Sequence, residues 1–182
     1  MKIITQPFDG CFLLEPGVFE DERGFFYEFY QKKKFRETTG LDVDFVQDNL
    51  AGSRKYVFRG IHFQQKPYEQ AKLVSVVRGS IMDFVVDLRP GSPTFGRWYA
   101  AELNEENRRQ LFIPKGFGHA YLSLSGDTKV FYKTDEYYHP QYDAGIRFDD
   151  PEIGLKLPVE AEKLILSEKD RNLPYLREIF HL

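Results

Sequence analysis

The sequence predicts an all-β protein, a β-sandwich of the jelly-roll kind, in one domain that spans residues 1–182. The composition is the first observation behind this prediction, because seventeen Phe and eleven Tyr stand against only two Met and aromatic side chains are enriched in strands. The second is the spacing, since short apolar or alternating runs recur about every ten residues, as in sandwiches and barrels. The length suffices for a full hydrophobic core.

The strands are predicted from these runs, which turn residues separate. In chain order they are Phe12–Leu14, Phe25–Tyr30, Asp44–Gln47, Val57–Gln64, Lys72–Val77, Ile81–Leu88, Gly96–Leu103, Arg109–Ile113, Ala120–Leu124 and Lys129–Thr134. Arg78-Gly79 separates two strongly apolar runs, which predicts a tight hairpin turn. Two prolines and a glycine predict a loop over Arg89–Pro93, because such a segment cannot sustain a strand ladder.

Helices are predicted only at the periphery. Gln31–Thr39 contains no Pro, has β-branched residues only at its end, and is followed by Gly40 as a C-terminal cap. The chain beyond Asp149 is punctuated by prolines and predicts an irregular segment that covers the sandwich as a lid. One short helix is expected within it, at Pro174–Phe180.

Charge and hydropathy exclude several classes of protein. The formal net charge of −3 provides no overall positive field for binding nucleic acid, although a local basic pocket for one anionic small molecule is compatible with it. No apolar run approaches the roughly 18 residues of a membrane helix. Met1–Pro7 lacks the apolar region of a signal peptide. We therefore expect a cytoplasmic protein without nucleic-acid or membrane partners.

Cys11 is the only cysteine, so no intrachain disulfide can form, which is typical of a reducing compartment. It opens an apolar run, and a packed strand thiol is favoured over a catalytic nucleophile.

Two of the four histidines are candidates for chemistry. His62 lies inside a predicted strand, where strict alternation places Phe58, Gly60 and Gln64 on its face and Arg59, Ile61 and Phe63 on the other. His119 follows a Pro- and Gly-rich turn that leads into the next predicted strand. His139 and His181 are expected to be solvated, and a satisfied core histidine is the simpler interpretation of any single case.

A metal site is one interpretation of this pair. Metal-binding jelly rolls of the cupin type use two histidines separated by one residue, then a Glu, then a third His from a Pro-x-Gly-x-x-His turn. Pro114–His119 matches that turn, but Gly60 and Gln64 stand where the histidine paired with His62 would be. The pattern therefore favours a site without metal.

General base catalysis is the other interpretation, because the unperturbed histidine pKa of about 6.5 suits proton abstraction at neutral pH. Such a base requires an orienting carboxylate, an acid and a cation for developing negative charge. Asp170, Tyr132 and Lys72 have the right chemistry. Each also suits an ordinary role as a tail Asp, a core Tyr or an edge-strand Lys, and periodicity does not decide between the two.

The chain resembles the dTDP-4-dehydrorhamnose 3,5-epimerases from about residue 10 to residue 176. The matching segments occur in the same order along both chains: Asp21–Glu28, Phe45–Asn49, Arg59–Gln64, Gln70–Val74, Asp87–Arg89, Ser92–Gly96, Gln110–Phe117 with His119, Tyr132-Lys133, Tyr137-Tyr138 and Leu166–Asp170. So many segments in order make the resemblance specific.

The resemblance implies a cupin-like homodimeric epimerase that works without metal or cofactor, in dTDP-L-rhamnose biosynthesis. Its substrate would be dTDP-4-dehydro-6-deoxy-D-glucose, in which the C4 ketone acidifies the hydrogens on C3 and C5. Proton removal would give an enolate, and protonation on the opposite face would invert each carbon to yield dTDP-4-dehydro-L-rhamnose. By the same resemblance His62 is the base, Asp170 its orienting partner, Tyr132 the acid and Lys72 the enolate stabiliser.

The resemblance also implies a substrate-binding set: Arg23, Phe26, Glu28, Gln47, Asp48, Asn49, Arg59, His119, Tyr138, Asp143 and Lys169. Arg23 and Arg59 suit the diphosphate, and Tyr138 matches the position that stacks on thymine. The chain departs from the family where Asp143 replaces Glu, where Gly118–Tyr121 replaces Ala-His-Gly-Phe, and at Arg147-Phe148.

Three alternatives remain open at this stage. One is a 3-epimerase of another deoxysugar pathway, which would exchange only the C3 hydrogen. The second is a metal-dependent cupin enzyme, and the third is a module that binds a nucleotide-sugar without catalysis.

Overall fold

Two antiparallel sheets dominate the computed structural model, which describes residues 1–180. The prediction for His181 falls outside the described residues. The strands are β1 (Lys2–Phe8), β2 (Cys11–Glu15), β3 (Val18–Asp21), β4 (Gly24–Tyr27), β5 (Gln47–Ser53), β6 (Phe58–Gln64), β7 (Lys72–Arg78), β8 (Ser80–Asp87), β9 (Trp98–Asn104), β10 (Gln110–Ile113), β11 (Phe117–Ser123), β12 (Thr128–Thr134) and β13 (Asp143–Gly145). The helices are α1 (Lys32–Thr39), α2 (Glu168–Arg171) and α3 (Leu176–Phe180). The all-β class is confirmed.

The two sheets face each other across a shared core. One sheet has six strands in the order β1-β2-β10-β7-β12-β5, the other has five in the order β13-β6-β11-β8-β9, and β3 pairs only with β4 in a separate hairpin. Val74 and Val130 from the first sheet and Val85 and Tyr121 from the second belong to the same buried cluster. This packing confirms the predicted jelly-roll sandwich.

Peripheral segments cover the outer faces of both sheets. Fully buried Phe35 of α1 packs with Phe112 on the six-stranded sheet. Leu164 and Leu176 of the C-terminal segment pack with Phe58 on the five-stranded sheet. The irregular C-terminal cover is confirmed, since apolar side chains spaced along it bury the sheet face that the inner core leaves open.

The helix predictions are confirmed to within a few residues. The Gln31 side chain accepts a hydrogen bond from the backbone N–H of Lys34 at the start of α1, and Gly40 ends the helix with φ of +75°. Gly40 donates its N–H to the Arg36 carbonyl, the arrangement that a left-handed C-cap provides. α3 occupies most of the predicted Pro174–Phe180, whereas α2 was not predicted.

The hairpin predicted at Arg78-Gly79 is wrong. β7 lies between β10 and β12 in one sheet, while β8 lies between β11 and β9 in the other, so the turn is a corner between sheets. Gly79 has φ of +79°, and a Cβ there would lie 2.2 Å from the Ser125 hydroxyl oxygen. The dipeptide correctly marks a tight turn, but it carries no information about which strands pair.

The strict alternation predicted along β6 is also wrong, because the strand contains a bulge. His62 pairs with His119, and Arg59 pairs with Tyr121, so three steps along β6 oppose two steps along β11. The extra residue places Arg59 and His62 on the same side, where both line one cavity. Gly60 makes this bulge sterically feasible, since a Cβ there would lie 2.5 Å from the His119 carbonyl oxygen.

Further errors concern edge and peripheral strands. β1, β3 and β13 were not predicted, and Asp44–Gln47 is wrong because β5 begins only at Gln47. β1, β5 and β13 each lie at a sheet edge. The β5 sequence is rich in polar and small residues, so its strand character depends on pairing with β12 rather than on its own apolar pattern.

None of the helices within residues 1–180 has the length and apolar character needed to cross a bilayer.

Candidate active site

A cavity of about 540 Å³ opens between the sheets, and it contains the four residues predicted to be catalytic. His62 comes from β6, Lys72 from the start of β7, Tyr132 from β12 and Asp170 from α2. A second cavity of about 260 Å³ adjoins it and shares His62, Lys72 and Tyr132 as walls. The two cavities therefore form one cleft with these three side chains at its centre.

His62 and Asp170 form a hydrogen-bonded pair. The His62 Nε2 lies 2.6 Å from the Asp170 Oδ1, although 108 residues separate them in the chain. Ser167 caps α2 by accepting a hydrogen bond from the Asp170 backbone N–H at 3.0 Å, which fixes the carboxylate beside β6. Burial alone raises the Asp170 pKa, but hydrogen bonding and the charge of His62 bring it below its ordinary value. The ionised carboxylate thus orients the imidazole.

Lys72 supplies a cation at the junction of the two cavities. Burial lowers the pKa of its ammonium group to about 8, partly opposed by the negative charges of Asp143 and Asp83. Lys72 is therefore predominantly charged at neutral pH, and it is poorly solvated. Such an ammonium group is suited to stabilise an anion that forms during a reaction.

Tyr132 carries the phenol that faces the same space. Burial raises its pKa, and the neighbouring Tyr121 hydroxyl acts in the same direction. The group consequently retains its proton at neutral pH and can donate it to a carbon or oxygen atom that gains negative charge.

A second histidine–aspartate pair lies on the neighbouring strands. The His119 Nε2 is 2.7 Å from the Asp83 Oδ1, and the carboxylate is fully buried. Burial raises the pKa of Asp83, while the charge and hydrogen bond of His119 lower it in part. Since His119 pairs directly with His62 across β11 and β6, the two imidazoles stand side by side at the cavity.

Two further cations, Arg59 and Lys169, line the larger cavity. The Arg59 Nε donates to the Ser53 hydroxyl at 3.2 Å, and its Nη2 donates to the Gly52 carbonyl at 3.1 Å. Lys169 lies one residue before Asp170 and donates to Asp143 at 2.5 Å. Three positive groups, with Lys72, therefore face a cleft suited to an anionic ligand.

The smaller cavity ends at an exposed aromatic ring. Tyr138 donates its hydroxyl proton to Asp143 at 2.8 Å, and its backbone N–H donates to the Gln47 side chain at 3.1 Å. Gln47 in turn donates to Asn49 at 2.9 Å. These contacts fix the ring, and with 53% of the residue exposed it is available for stacking.

Four residues of the predicted substrate-binding set lie away from this cleft. Arg23 is 85% exposed and pairs with Asp21 on the β3–β4 hairpin, and Phe26 on that hairpin is 66% exposed. Glu28 pairs with Lys34 beyond the hairpin. The fourth, Asp48, points to the outer side of β5 and accepts a hydrogen bond from Lys133 at 2.6 Å.

Sequence reasoning missed three residues that shape the cavity: Ser53, Asp83 and Tyr121. Asp83 could have been found, because an acidic residue in the middle of the apolar run of β8 requires a buried partner. Tyr121 was noted only as a departure from the family. Nothing in the sequence pointed to Ser53, because its role depends on contacts between the two sheets.

Among residues 1–180, no group of three or more His, Cys, Asp or Glu side chains surrounds a common point where an ion would sit. The arrangement that is present combines a carboxylate-oriented imidazole, a phenol and an ammonium group around one cleft. These groups suit proton abstraction from carbon next to a carbonyl, with stabilisation of the enolate oxygen and protonation by a second acid.

Comparison with known proteins agrees with this chemistry. The family model described as dTDP-4-dehydrorhamnose 3,5-epimerase matches residues 5–178. An enzyme of that description from Methanothermobacter thermautotrophicus is 51% identical over 97% of this chain and 95% of its own length. One from Escherichia coli is 44% identical over 100% and 98%. The crystal structure of a dTDP-6-deoxy-D-glucose-3,5-epimerase from Legionella pneumophila, in complex with dTDP-4-keto-L-rhamnose, has a TM-score of 0.94 at 43% identity and covers 99% of this chain and 95% of its own.

Proposed function

The chain belongs to the dTDP-4-dehydrorhamnose 3,5-epimerase family, and from this membership we propose that it inverts C3 and C5 of dTDP-4-dehydro-6-deoxy-D-glucose. The product is dTDP-4-dehydro-L-rhamnose, in dTDP-L-rhamnose biosynthesis. The observation that carries the proposal is the His62–Asp170 pair, which lies beside Lys72 and Tyr132 in one cleft.

Proton abstraction is assigned to His62. The ionised Asp170 accepts a hydrogen bond from one ring nitrogen, which leaves the lone pair on the other nitrogen for the substrate. The C4 ketone acidifies the neighbouring C–H bonds, so removal of a proton forms a C=C bond and moves an electron pair onto the carbonyl oxygen. The Lys72 ammonium group stabilises this enolate oxygen.

Protonation on the opposite face is assigned to Tyr132. Its raised pKa keeps the phenol protonated until the enolate forms, and transfer of that proton to carbon restores the C4 ketone with inverted configuration. His62 then holds one extra proton and Tyr132 lacks one, and exchange with solvent resets both. The same steps at the second carbon complete the double inversion.

The nucleotide end of the substrate is assigned to the cationic and aromatic walls. Arg59 and Lys169 suit the diphosphate, because their N–H groups form charge-assisted hydrogen bonds to phosphate oxygens. Tyr138 provides the stacking surface for thymine, and Gln47, Asn49 and Asp143 surround it. His119 lies beside His62 and contacts the sugar.

A homodimer completes the site in this proposal. The β3–β4 hairpin exposes Phe19, Phe25 and Phe26 by 59% to 69%, more apolar surface than an isolated hairpin is expected to present to water. β5 lies at a sheet edge beside the cleft, with its second side unpaired among the described residues. We infer that a second copy brings Arg23 and Phe26 of its hairpin, and Glu28 just beyond it, to the cleft.

The proposed location is the cytoplasm. Cys11 is a fully buried free thiol whose pKa burial raises to about 12. A thiol in this state resists oxidation and is compatible with a reducing compartment.

Deuterium exchange tests the proposal directly. The purified protein is incubated with dTDP-4-dehydro-6-deoxy-D-glucose in deuterated water, and incorporation is followed by NMR with His62→Ala as the matched control. We expect deuterium at C3 and C5 with the unchanged protein and none with the variant. Exchange at C3 alone would identify a 3-epimerase, and folded protein that binds dTDP without exchange at either carbon would leave only a binding module.

A further inference from the structure

The hydroxyl of Tyr121 is a buried polar group to which the proposal above assigns no role in binding the substrate. Tyr121 is 4% exposed, lines the larger cavity, and has its oxygen 2.9 Å from the Ser53 hydroxyl oxygen. Tyr121 belongs to β11 of the five-stranded sheet, whereas Ser53 ends β5 of the six-stranded sheet. Their hydrogen bond therefore joins the two sheets across the cavity wall.

Ser53 also holds Arg59. The Arg59 Nε donates to the Ser53 hydroxyl oxygen at 3.2 Å, and its Nη2 donates to the Gly52 carbonyl at 3.1 Å. Because a guanidinium has only donors, Ser53 must accept from Arg59 and use its own proton or its second lone pair toward Tyr121. Arg59 is also the direct register partner of Tyr121 on β6. The Tyr121 and Arg59 side chains, from neighbouring strands, thus meet at the same Ser53 hydroxyl.

We propose that Tyr121, acting through Ser53, is a positioning residue that fixes the plane of the Arg59 guanidinium for the diphosphate of the nucleotide-sugar. The inference rests on the proposed function. A free arginine side chain samples many rotamers, and ordering it when a ligand binds weakens affinity. Ser53 prevents this loss only while its own rotamer is fixed, and the Tyr121 hydroxyl is the contact that fixes it from the opposite sheet.

Tyr121→Phe tests this role, because it removes one oxygen and leaves the ring in the core. We expect the Kd for dTDP and the KM for the sugar substrate to rise roughly three- to ten-fold, the range for loss of one hydrogen bond, with kcat within about two-fold. Ser53→Ala, from the other sheet, is expected to give the same change. Calorimetric titration with dTDP and steady-state kinetics provide the values.

Tyr99→Phe is the matched control. Tyr99 on β9 is a half-buried tyrosine packed against the same core as Tyr121, and it does not belong to the cavity wall. Loss of its hydroxyl is expected to leave both the Kd for dTDP and the KM unchanged. Circular dichroism melts of all variants show whether a rise in KM accompanies a general loss of structure.

Combination with Arg59→Lys separates positioning from a general structural role. Lysine retains the charge but lacks the Nε–H that meets Ser53, so Tyr121→Phe is expected to cause no further loss of dTDP affinity in that background. An added loss equal to that in the unchanged protein would overturn the inference, as would an unchanged Kd in Tyr121→Phe or a fall in kcat alone. Failure of the unchanged protein to bind dTDP would instead overturn the proposed function itself.

Discussion

The predicted site residues of the cleft and those of the β3–β4 hairpin differ in burial and in how far away their partners lie in the chain. In the cleft, the pairs His62–Asp170 and His119–Asp83 join residues 108 and 36 positions apart and hold their carboxylates below 5% exposure. On the hairpin, the Arg23 guanidinium pairs with Asp21, two positions away, and both side chains are exposed. The first arrangement requires the whole fold, whereas the second is local. The cleft is therefore preorganised in a single chain, whereas the exposed hairpin residues serve the site only if a second copy receives them, as proposed above.

Substitution of His62, the proposed general base, is expected to have the largest effect on the cleft. His62→Ala is expected to lower kcat by about 10³-fold, because a positioned general base contributes roughly 10²–10⁴-fold. The Kd for dTDP should stay within about two-fold, since Arg59, Lys169 and Tyr138, which we propose to bind the nucleotide end, are unchanged. Asp170→Asn keeps the shape but removes the charge that orients the imidazole, and a smaller loss of kcat is expected. Activity of His62→Ala close to that of the unchanged protein would contradict the assignment.

Substitution of Lys72 is expected to have the next largest effect on kcat. Lys72→Met is expected to lower kcat by about 10²-fold through loss of enolate stabilisation. Since its pKa is about 8, the activity of the unchanged protein should fall as the pH rises through 8 and the ammonium group loses its charge. In Lys72→Arg the charge persists, so any remaining activity should extend to higher pH. Matching pH–rate profiles for the two proteins would contradict this role.

The lowered pKa of Lys72 also leads to a prediction about the stability of the protein. Its pKa is lowered on folding from 10.5 to about 8, so the unfolded chain binds more protons between those values and the free energy of unfolding rises with pH across that window. Lys72→Met removes a charge that burial disfavours. We expect an equal or higher Tm for this variant at pH 7, measured by circular dichroism. A clearly lower Tm would mean that Lys72 mainly contributes packing.

Sequence patterns predicted the helices and strands that are determined by residues close together in the chain. β7 and β8 are apolar runs and were predicted within a residue or two, and α1 has its cap and terminator in the sequence. β5 was missed because its polar residues become a strand only through pairing with β12. The Arg78-Gly79 corner was mistaken for a hairpin because strand pairing is decided by distant segments.

Local sequence patterns also predicted only part of the candidate site. Periodicity alone could not distinguish Asp170 from the other acidic residues of the C-terminal segment, because its partner His62 lies in a distant strand. The resemblance to a family identified both residues. Even so, the bulge at Gly60 reversed the predicted face of Arg59, since one glycine inserts a residue into the strand and no alternation rule accounts for it.

Substitution of Arg23 tests whether the hairpin contributes to the site at all. Arg23→Ala is expected to raise the KM for the nucleotide-sugar by roughly ten-fold, the scale of one charge-assisted contact to phosphate, with an unchanged Tm because the side chain is exposed. If the hairpin serves a second copy, mixing subunits of Arg23→Ala and His62→Ala should restore activity in part. A concentration-independent monomer by analytical ultracentrifugation, fully active, would show that the hairpin has no such role.

The smallest expected effect lies at Asp143, which lines the smaller cavity and contacts Lys169 of the larger one. This carboxylate accepts the Tyr138 hydroxyl proton at 2.8 Å and the Lys169 ammonium at 2.5 Å, and so connects the stacking ring to α2, which carries Asp170. Asp143→Asn keeps an oxygen for Tyr138 but loses the charge that holds Lys169.

Because Lys169 is about half exposed, its ion pair contributes roughly 1 kcal/mol or less, and we expect the KM to rise by no more than about five-fold at an unchanged kcat. Tyr138→Phe, which removes only the hydroxyl contact, serves as the matched variant. A large fall in kcat on Asp143→Asn would instead mean that the Lys169 contact sets the position of the Asp170 carboxylate, and the cleft would then be less preorganised than its buried pairs indicate.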